Sequence, residues 1–277
     1  MSHTPLSLPQ SLPKRRGFGG TSRQDAWWLQ PLVVFLGLSS FIVYSTWAAF
    51  QGTDYLFTGE GASYLSPFYS PELFGDSGHA WFGPKPEVWP TWLPFSPALL
   101  ILWAPGGFRF TCYYYRGAYY KAFAADPSSC AVGEPKVRSC YRGEQTLPLV
   151  LQNIHRYFLY IALIFIVLLS WDAWEAMWFK STDGVEHFGI GVGTIVLTIN
   201  VILLGGYTFG CHAFRHIVGG RFNMLSNRKT HQKAYECVTC LNKKHMLFAW
   251  MSLFWVGFTD FYVRMCAAGT WTDWRIF

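Results

Sequence analysis

A chain of 277 residues would suit one or two soluble domains by length alone, but only 14% of its residues are charged, against about 25% in an ordinary soluble domain. Aromatic residues reach 19% and the hydrophobic set 51%, which excludes intrinsic disorder and points to a polytopic membrane protein. Seven cysteines, an odd number at this length, exclude a disulfide framework, and the net charge of +6 acquires meaning only from where it lies.

Residues 1–25 read as a polar N-terminal tail. Residues 26–268 hold five segments able to cross a bilayer as helices of about 20 residues, at about 26–50, 92–115, 149–171, 188–214 and 246–268. The expected fold class is all-α, a polytopic bundle of five transmembrane helices, with residues 269–277 as a C-terminal tail. The first span is uncharged, too long for a cleavable signal sequence, and lacks a small-residue cleavage site. The connection 51–91 is rich in Gly, Pro and aromatics; a structureless loop of that length is uncommon, so it is expected to fold as a cap. In the second span Pro105-Gly106-Gly107 predicts a helix break, with Arg109 beyond it as a counter-charge to the freed carbonyls. Gly189, Gly191, Gly193, Gly205 and Gly206 of the fourth span are read as packing positions that allow close helix approach. On the fifth span Asp260 and Arg264 are spaced i, i+4 and are expected to form a local ion pair.

Lys and Arg set the direction of insertion. Of the 22, sixteen lie in the N-terminal tail and in connections 116–147 and 215–244, and four at outer positions (Lys85, Lys180, Arg264 and Arg275); Arg109 and Arg156 lie inside spans. The asymmetry predicts an inner N-terminus, an outer C-terminus and an outer loop over 51–91. The basic residues form no stripe with interleaved aromatics, so the expected surroundings are the lipid bilayer and not nucleic acid. Few intramembrane carboxylates and no second broken helix to pair with the first argue against a transporter.

With this topology four ligand-type residues fall at one depth. Cys112 lies four residues before Arg116 and Cys211 four before Arg215, both at inner helix ends; His155 adjoins Arg156 and His245 adjoins Lys244, both at inner helix starts. At 1.5 Å rise per residue each lies within about two turns of its basic marker. Two thiols and two imidazoles fit zinc or a Rieske-type [2Fe–2S] centre, in which two His replace two Cys on one iron. A bis-histidine haem b drawn from His155, His212, His216 and His245 is the alternative, and it would leave the thiols without a role. Near the outer face only His187 and His79 remain, so a two-haem stack is not expected. Cys237-x-x-Cys240 with Cys130 and Cys140 is a weak structural zinc pattern, and Cys266 is read as a packing residue.

The strings FRFTCYYYRGAYYKAF, LVLQNIHRYFLYIAL, YTFGCHAFRHIVGG and NKKHMLFAWMSLFWVGFTDFYVR carry a further signal. They resemble the single-chain membrane anchor of an actinobacterial succinate dehydrogenase class, over roughly residues 94–265. The resemblance implies a five-helix anchor in the bacterial plasma membrane. It also implies a flavoprotein subunit and an iron–sulfur subunit docked on the cytoplasmic face, and electron transfer from succinate to membrane quinone, menaquinone or ubiquinone. The chain has no dinucleotide fingerprint, P-loop or ferredoxin-type Cys run, so FAD and further iron–sulfur clusters belong to the partners. The chain alone is not expected to oxidise succinate. The expected assignment is Cys112 and Cys211 on one iron and His155 and His245 on the other. His212 and His216, with Arg109 and Arg116, are expected to bind quinone or to support the ligands. The remaining alternative is a purely structural anchor with zinc or no metal.

Overall fold

The computed structural model describes residues 17–59, 61–135, 145–147, 149–181, 183–220, 222–224 and 229–277. Among the described residues four helices are long and apolar enough to cross a bilayer: α1 (Leu29–Gln51), α5 (His155–Glu175, entered through a 3₁₀ turn over Leu149–Ile154), α6 (Val192–Phe209) and α9 (His245–Ala267). Leu32, Val33, Leu36, Ile42 and Val43 of α1 are exposed, as are Ile164 and Val167 of α5. A helical surface apolar on its outer face belongs in hydrocarbon, where every backbone amide is satisfied within its own helix. The chain is a polytopic helical membrane protein.

The second predicted span is not one helix. It is built as α2 (Pro97–Ile101), α3 (Trp103–Phe110) and α4 (Tyr113–Ala122), with the breaks at Leu102 and at Thr111–Cys112. The expected break at Pro105-Gly106-Gly107 does not occur. Pro105 sits in the first turn of α3, where its missing N–H has no partner to lose, and the Gly106 amide still reaches the Leu102 carbonyl at 2.9 Å. The fourth predicted span also ends early: α6 stops at Phe209, and Gly210 and Cys211 separate it from α7 (His212–Arg215), which runs into a π-helical turn over His216–Gly220. The connection that follows holds α8 (Lys229–Lys243), a helix that the sequence reading left out.

Segments outside the helices gather at the two ends of the bundle. At one end the tail meets the stretch after α4: Gly19 N–H donates to Gly133 O at 3.0 Å, and Arg23 donates to Ser129 Oγ at 2.7 Å. At the other end, β1 (Leu56–Gly59) and β2 (Ala62–Leu65) form an antiparallel hairpin with Leu56 opposite Leu65. A second hairpin pairs β3 (Trp178–Lys180) with β4 (Glu186–Phe188), and Lys180 N–H donates to Gly61 O. The connection after α1 is thus a folded cap, as its composition predicts. Tyr64 of β2 is fully buried and donates to Asp273 Oδ2 at 2.7 Å; Tyr262 and the Gly193 amide donate to Oδ1 of the same carboxylate. Asp273 thereby ties the C-terminal tail, α9, the cap and the start of α6 together.

Candidate functional site

Each cysteine sits where one helix stops and another starts. Cys112 has φ −64° and ψ 128°, and Cys211 has φ −65° and ψ 141°, both extended backbone at the N-cap of the following helix. Each histidine is the first residue of a long helix, His155 of α5 and His245 of α9. Four polypeptide corners therefore deliver the four predicted ligands to one end of the bundle. The four stand at one level along the bundle, and the two thiols, which the sequence reading has on continuous helices, stand instead at helix breaks.

The four meet as two pairs. His155 Nε2 lies 3.1 Å from Cys211 Sγ, and His245 Nε2 lies 3.5 Å from Cys112 Sγ. Both cysteines are buried, in one core cluster with Phe108, Tyr115, Leu159 and Tyr207. Phe108 stacks on the His155 ring with centroids 4.6 Å apart and planes 5° apart, and Tyr207 stacks on His245 at 4.9 Å and 13°. Phe108 and Tyr207 then meet edge to face at 5.5 Å, so two aromatic rings connect the two imidazoles. Among the described residues no three His, Cys, Asp or Glu side chains converge on a single ion-sized point.

Polar groups around these pairs are specific. Thr111 Oγ1 contacts His155 Nδ1 at 2.9 Å. Arg109 donates to the Ala249 carbonyl, to Tyr115 Oη at 3.0 Å and to Ser252 Oγ at 2.8 Å, and its guanidinium lies 4.6 Å from the Tyr207 ring centroid. Its partners are thus on α9 and at the start of α4, not the carbonyls of a broken helix. His212 and His216 are exposed; His216 Nδ1 lies 3.4 Å from Arg156, and Arg116 covers the Tyr113 ring. Cys237 and Cys240 are exposed on α8, Cys130 is exposed, Cys266 is buried against Val196 and Tyr262, and Cys140 lies outside the described residues.

Two cavities flank the site. One of about 1100 Å³ opens beyond the thiols and is lined by Cys112, Cys211, His212, His245, Lys121 and Asn242. A second, of about 330 Å³, lies within the bundle between α1, α3, α5 and α6, with Arg109, Phe108 and Tyr207 at its site end and apolar residues such as Phe41 and Ile166 elsewhere. Sequence reasoning missed Thr111, Phe108 and Tyr207. A signal was present: an aromatic residue stands four before each cysteine and an arginine four after, Phe108–Cys112–Arg116 and Tyr207–Cys211–Arg215.

A family model described as actinobacterial succinate dehydrogenase subunit SdhC matches residues 29–269. Among solved structures, the chain is similar to one in the Mycobacterium smegmatis Sdh1 complex in the apo form. The match has 41% identity and a TM-score of 0.82, covering 96% of this chain and 97% of that one. No curated protein matches.

Proposed function

The chain belongs to the actinobacterial succinate dehydrogenase SdhC family, and we propose that it anchors that enzyme and relays electrons to membrane quinone through a Rieske-type [2Fe–2S] centre. The observation that carries the proposal is the convergence of Cys112 with His245 and of Cys211 with His155 at one end of the bundle. A structural zinc wants four donors around one point at about 2.0–2.3 Å. Two separate Cys–His contacts do not gather four donors on one point, and Cys112, Cys211, His155 and His245 together are the donor set, two thiols and two imidazoles, that would hold a binuclear centre of this type. A haem held by His155 and His245 would leave without a role the two thiols that stand within 3.5 Å of those imidazoles.

When bound, such a cluster supplies one-electron transfer at a potential raised by imidazole ligation. The chain's own residues do the rest. Each thiol is carried by an extended residue between two helices, which fixes where its sulfur stands. Phe108, Tyr207 and Leu159 keep water from the imidazole faces. Arg109, held by three partners, sets a fixed positive charge against the Tyr207 side of the site and favours the more negative, reduced state.

The inner cavity has the size and lining of a small-molecule site, apolar with a few convergent polar groups at one end. We place the quinone ring there, near Arg109, and the isoprenoid tail along the α1 and α5 walls. Five crossings, with α2 to α4 forming the second, bring the N-terminal tail and the connections after α4 and α7 to the cytoplasmic face. Their basic residues then meet the iron–sulfur subunit, which with the flavoprotein carries succinate oxidation. The larger cavity, beyond the thiols and beside Lys121, opens toward that partner.

Replacing His155 and His245 together by Ala is expected to abolish quinone reduction by the purified complex while succinate oxidation by an artificial acceptor persists. The paramagnetic signal of the centre should vanish with it. Full quinone reduction in the double variant, or a haem Soret band that disappears with the two histidines, would overturn the assignment.

A further inference from the structure

We propose that Thr111 fixes the tautomer of His155 and so selects Nε2 as its ligating atom; the inference rests on the Cys–His reading above. Thr111 is 2% exposed, and its Oγ1 faces the Gly107 carbonyl, more distantly the Phe108 carbonyl at 3.5 Å, and the His155 ring. The Gly107 carbonyl, 2.7 Å away, can only accept a hydrogen bond. The hydroxyl has a single proton and spends it there. Toward His155 Nδ1, at 2.9 Å, the same oxygen can then only accept. Nδ1 must carry the ring proton, and the free lone pair of the neutral imidazole falls on Nε2, the atom that faces Cys211 Sγ at 3.1 Å.

Phe108, one turn before Thr111 on the same helix, stacks on the imidazole and sets the plane of the ring. The end of α3 thus fixes both remaining freedoms of His155, its rotation and its proton. His245 has a stacking ring from Tyr207, but three residues after that ring, where Thr111 follows Phe108, stands Gly210, which has no hydroxyl to offer. The two imidazoles are therefore unequal. An N–H that donates to a firm acceptor makes the opposite nitrogen a stronger donor to metal, so His155 is the tighter and more electron-rich ligand.

The test uses the full complex with Thr111→Val, which keeps the shape without the hydroxyl, and Thr111→Ser, which keeps the hydroxyl. Three quantities are read: the midpoint potential of the centre, its histidine-nitrogen hyperfine couplings with ¹⁵N-labelled histidine, and iron retained under a chelator. Wild type and the Ser variant should agree, with two unequal nitrogen couplings. The Val variant should show couplings drawn together, a more positive potential, and iron affinity lower by about 10-fold, the scale on which a lost partner of a ligating histidine acts. If the Val variant does not assemble, Thr111→Ala carries the same expectation without added bulk. A hydroxyl-free variant matching wild type in all three, or a Ser variant matching Val, overturns the inference and leaves the cluster reading standing. A wild-type complex with no such paramagnetic signal overturns the cluster reading itself.

Discussion

Asp260 is completely buried in a chain that lies in lipid, and it persists because every oxygen is engaged. Its carboxylate accepts from Arg264 Nε and from Tyr44 Oη, at 2.8 and 2.7 Å, and from Ser66 Oγ. Arg264 in turn donates to the carbonyls of Thr53 and Ala48, the latter left open at the end of α1. The spacing of Asp260 and Arg264 makes the ion pair legible in the sequence; Tyr44 and Ser66, 216 and 194 residues away, are not. Removing one member of a buried pair strands the other, a loss of about 3–5 kcal/mol. Asp260→Ala should therefore lower the thermal stability of the complex in detergent sharply. The double variant Asp260→Ala, Arg264→Met should recover part of it, because no charge is then left unpaired. Equal loss in the single and double variants would show that the pair adds nothing to the attachment of the cap.

At the scale of helices, the apolar runs locate α1, α5, α6 and α9 to within a few residues at most ends, because a bilayer demands a near-unbroken apolar stretch and the sequence displays it. What the runs conceal is where a helix breaks without changing polarity. FRFTCYYYR and YTFGCHAFR stay aromatic straight through the extended Cys112 and Cys211, so hydropathy passes over the two corners that present the thiols. Pro105 misleads in the opposite sense, since its cost depends on its position in the turn and not on its identity. The glycine reading fares better but unevenly. A Cβ on Gly206 would run into the Phe248 ring of α9 and one on Gly193 into Tyr64, whereas one on Gly205 would meet only its own helix neighbour Phe209 at ordinary contact distance. Gly206→Val should push α6 from α9 beside Tyr207 and one turn from His245, costing about 1–3 kcal/mol. It should also lower the metal content of the complex, while Gly205→Val leaves both unchanged. Metal loss in the Gly205 variant alone would reverse that picture of the interface.

The whole molecule has two ends of unlike chemistry, and hydrogen bonds group the connections as the charge count does. Residues 17–25 pair with 129–133 beside the thiol end, whereas the cap, the β3–β4 hairpin and the C-terminal tail pair with one another at the opposite end. Tails at opposite ends require an odd number of crossings. The four long helices among the described residues would by themselves return the chain to its starting side, and on the five-crossing reading proposed above the broken stretch α2–α4 supplies the fifth. A broken crossing is tolerated only where protein surrounds it. That condition is met here, as α3 packs on α5 and α4 on α1. The proposed direction of insertion rests on the sequence count, sixteen Lys and Arg in the N-terminal tail and in connections 116–147 and 215–244 against four in the remaining connections and tail, and it would put the thiols next to the cytoplasm. Val88, 92% exposed in the cap, offers a clean reporter. In a chain with Cys130, Cys140, Cys237 and Cys240 changed to Ser, Val88→Cys should react with an impermeant maleimide added to intact cells and stay unlabelled in sealed inside-out vesicles. The reverse pattern would invert the molecule and put the Cys–His pairs on the side away from the succinate-oxidising subunits, where no electron could reach them from that partner.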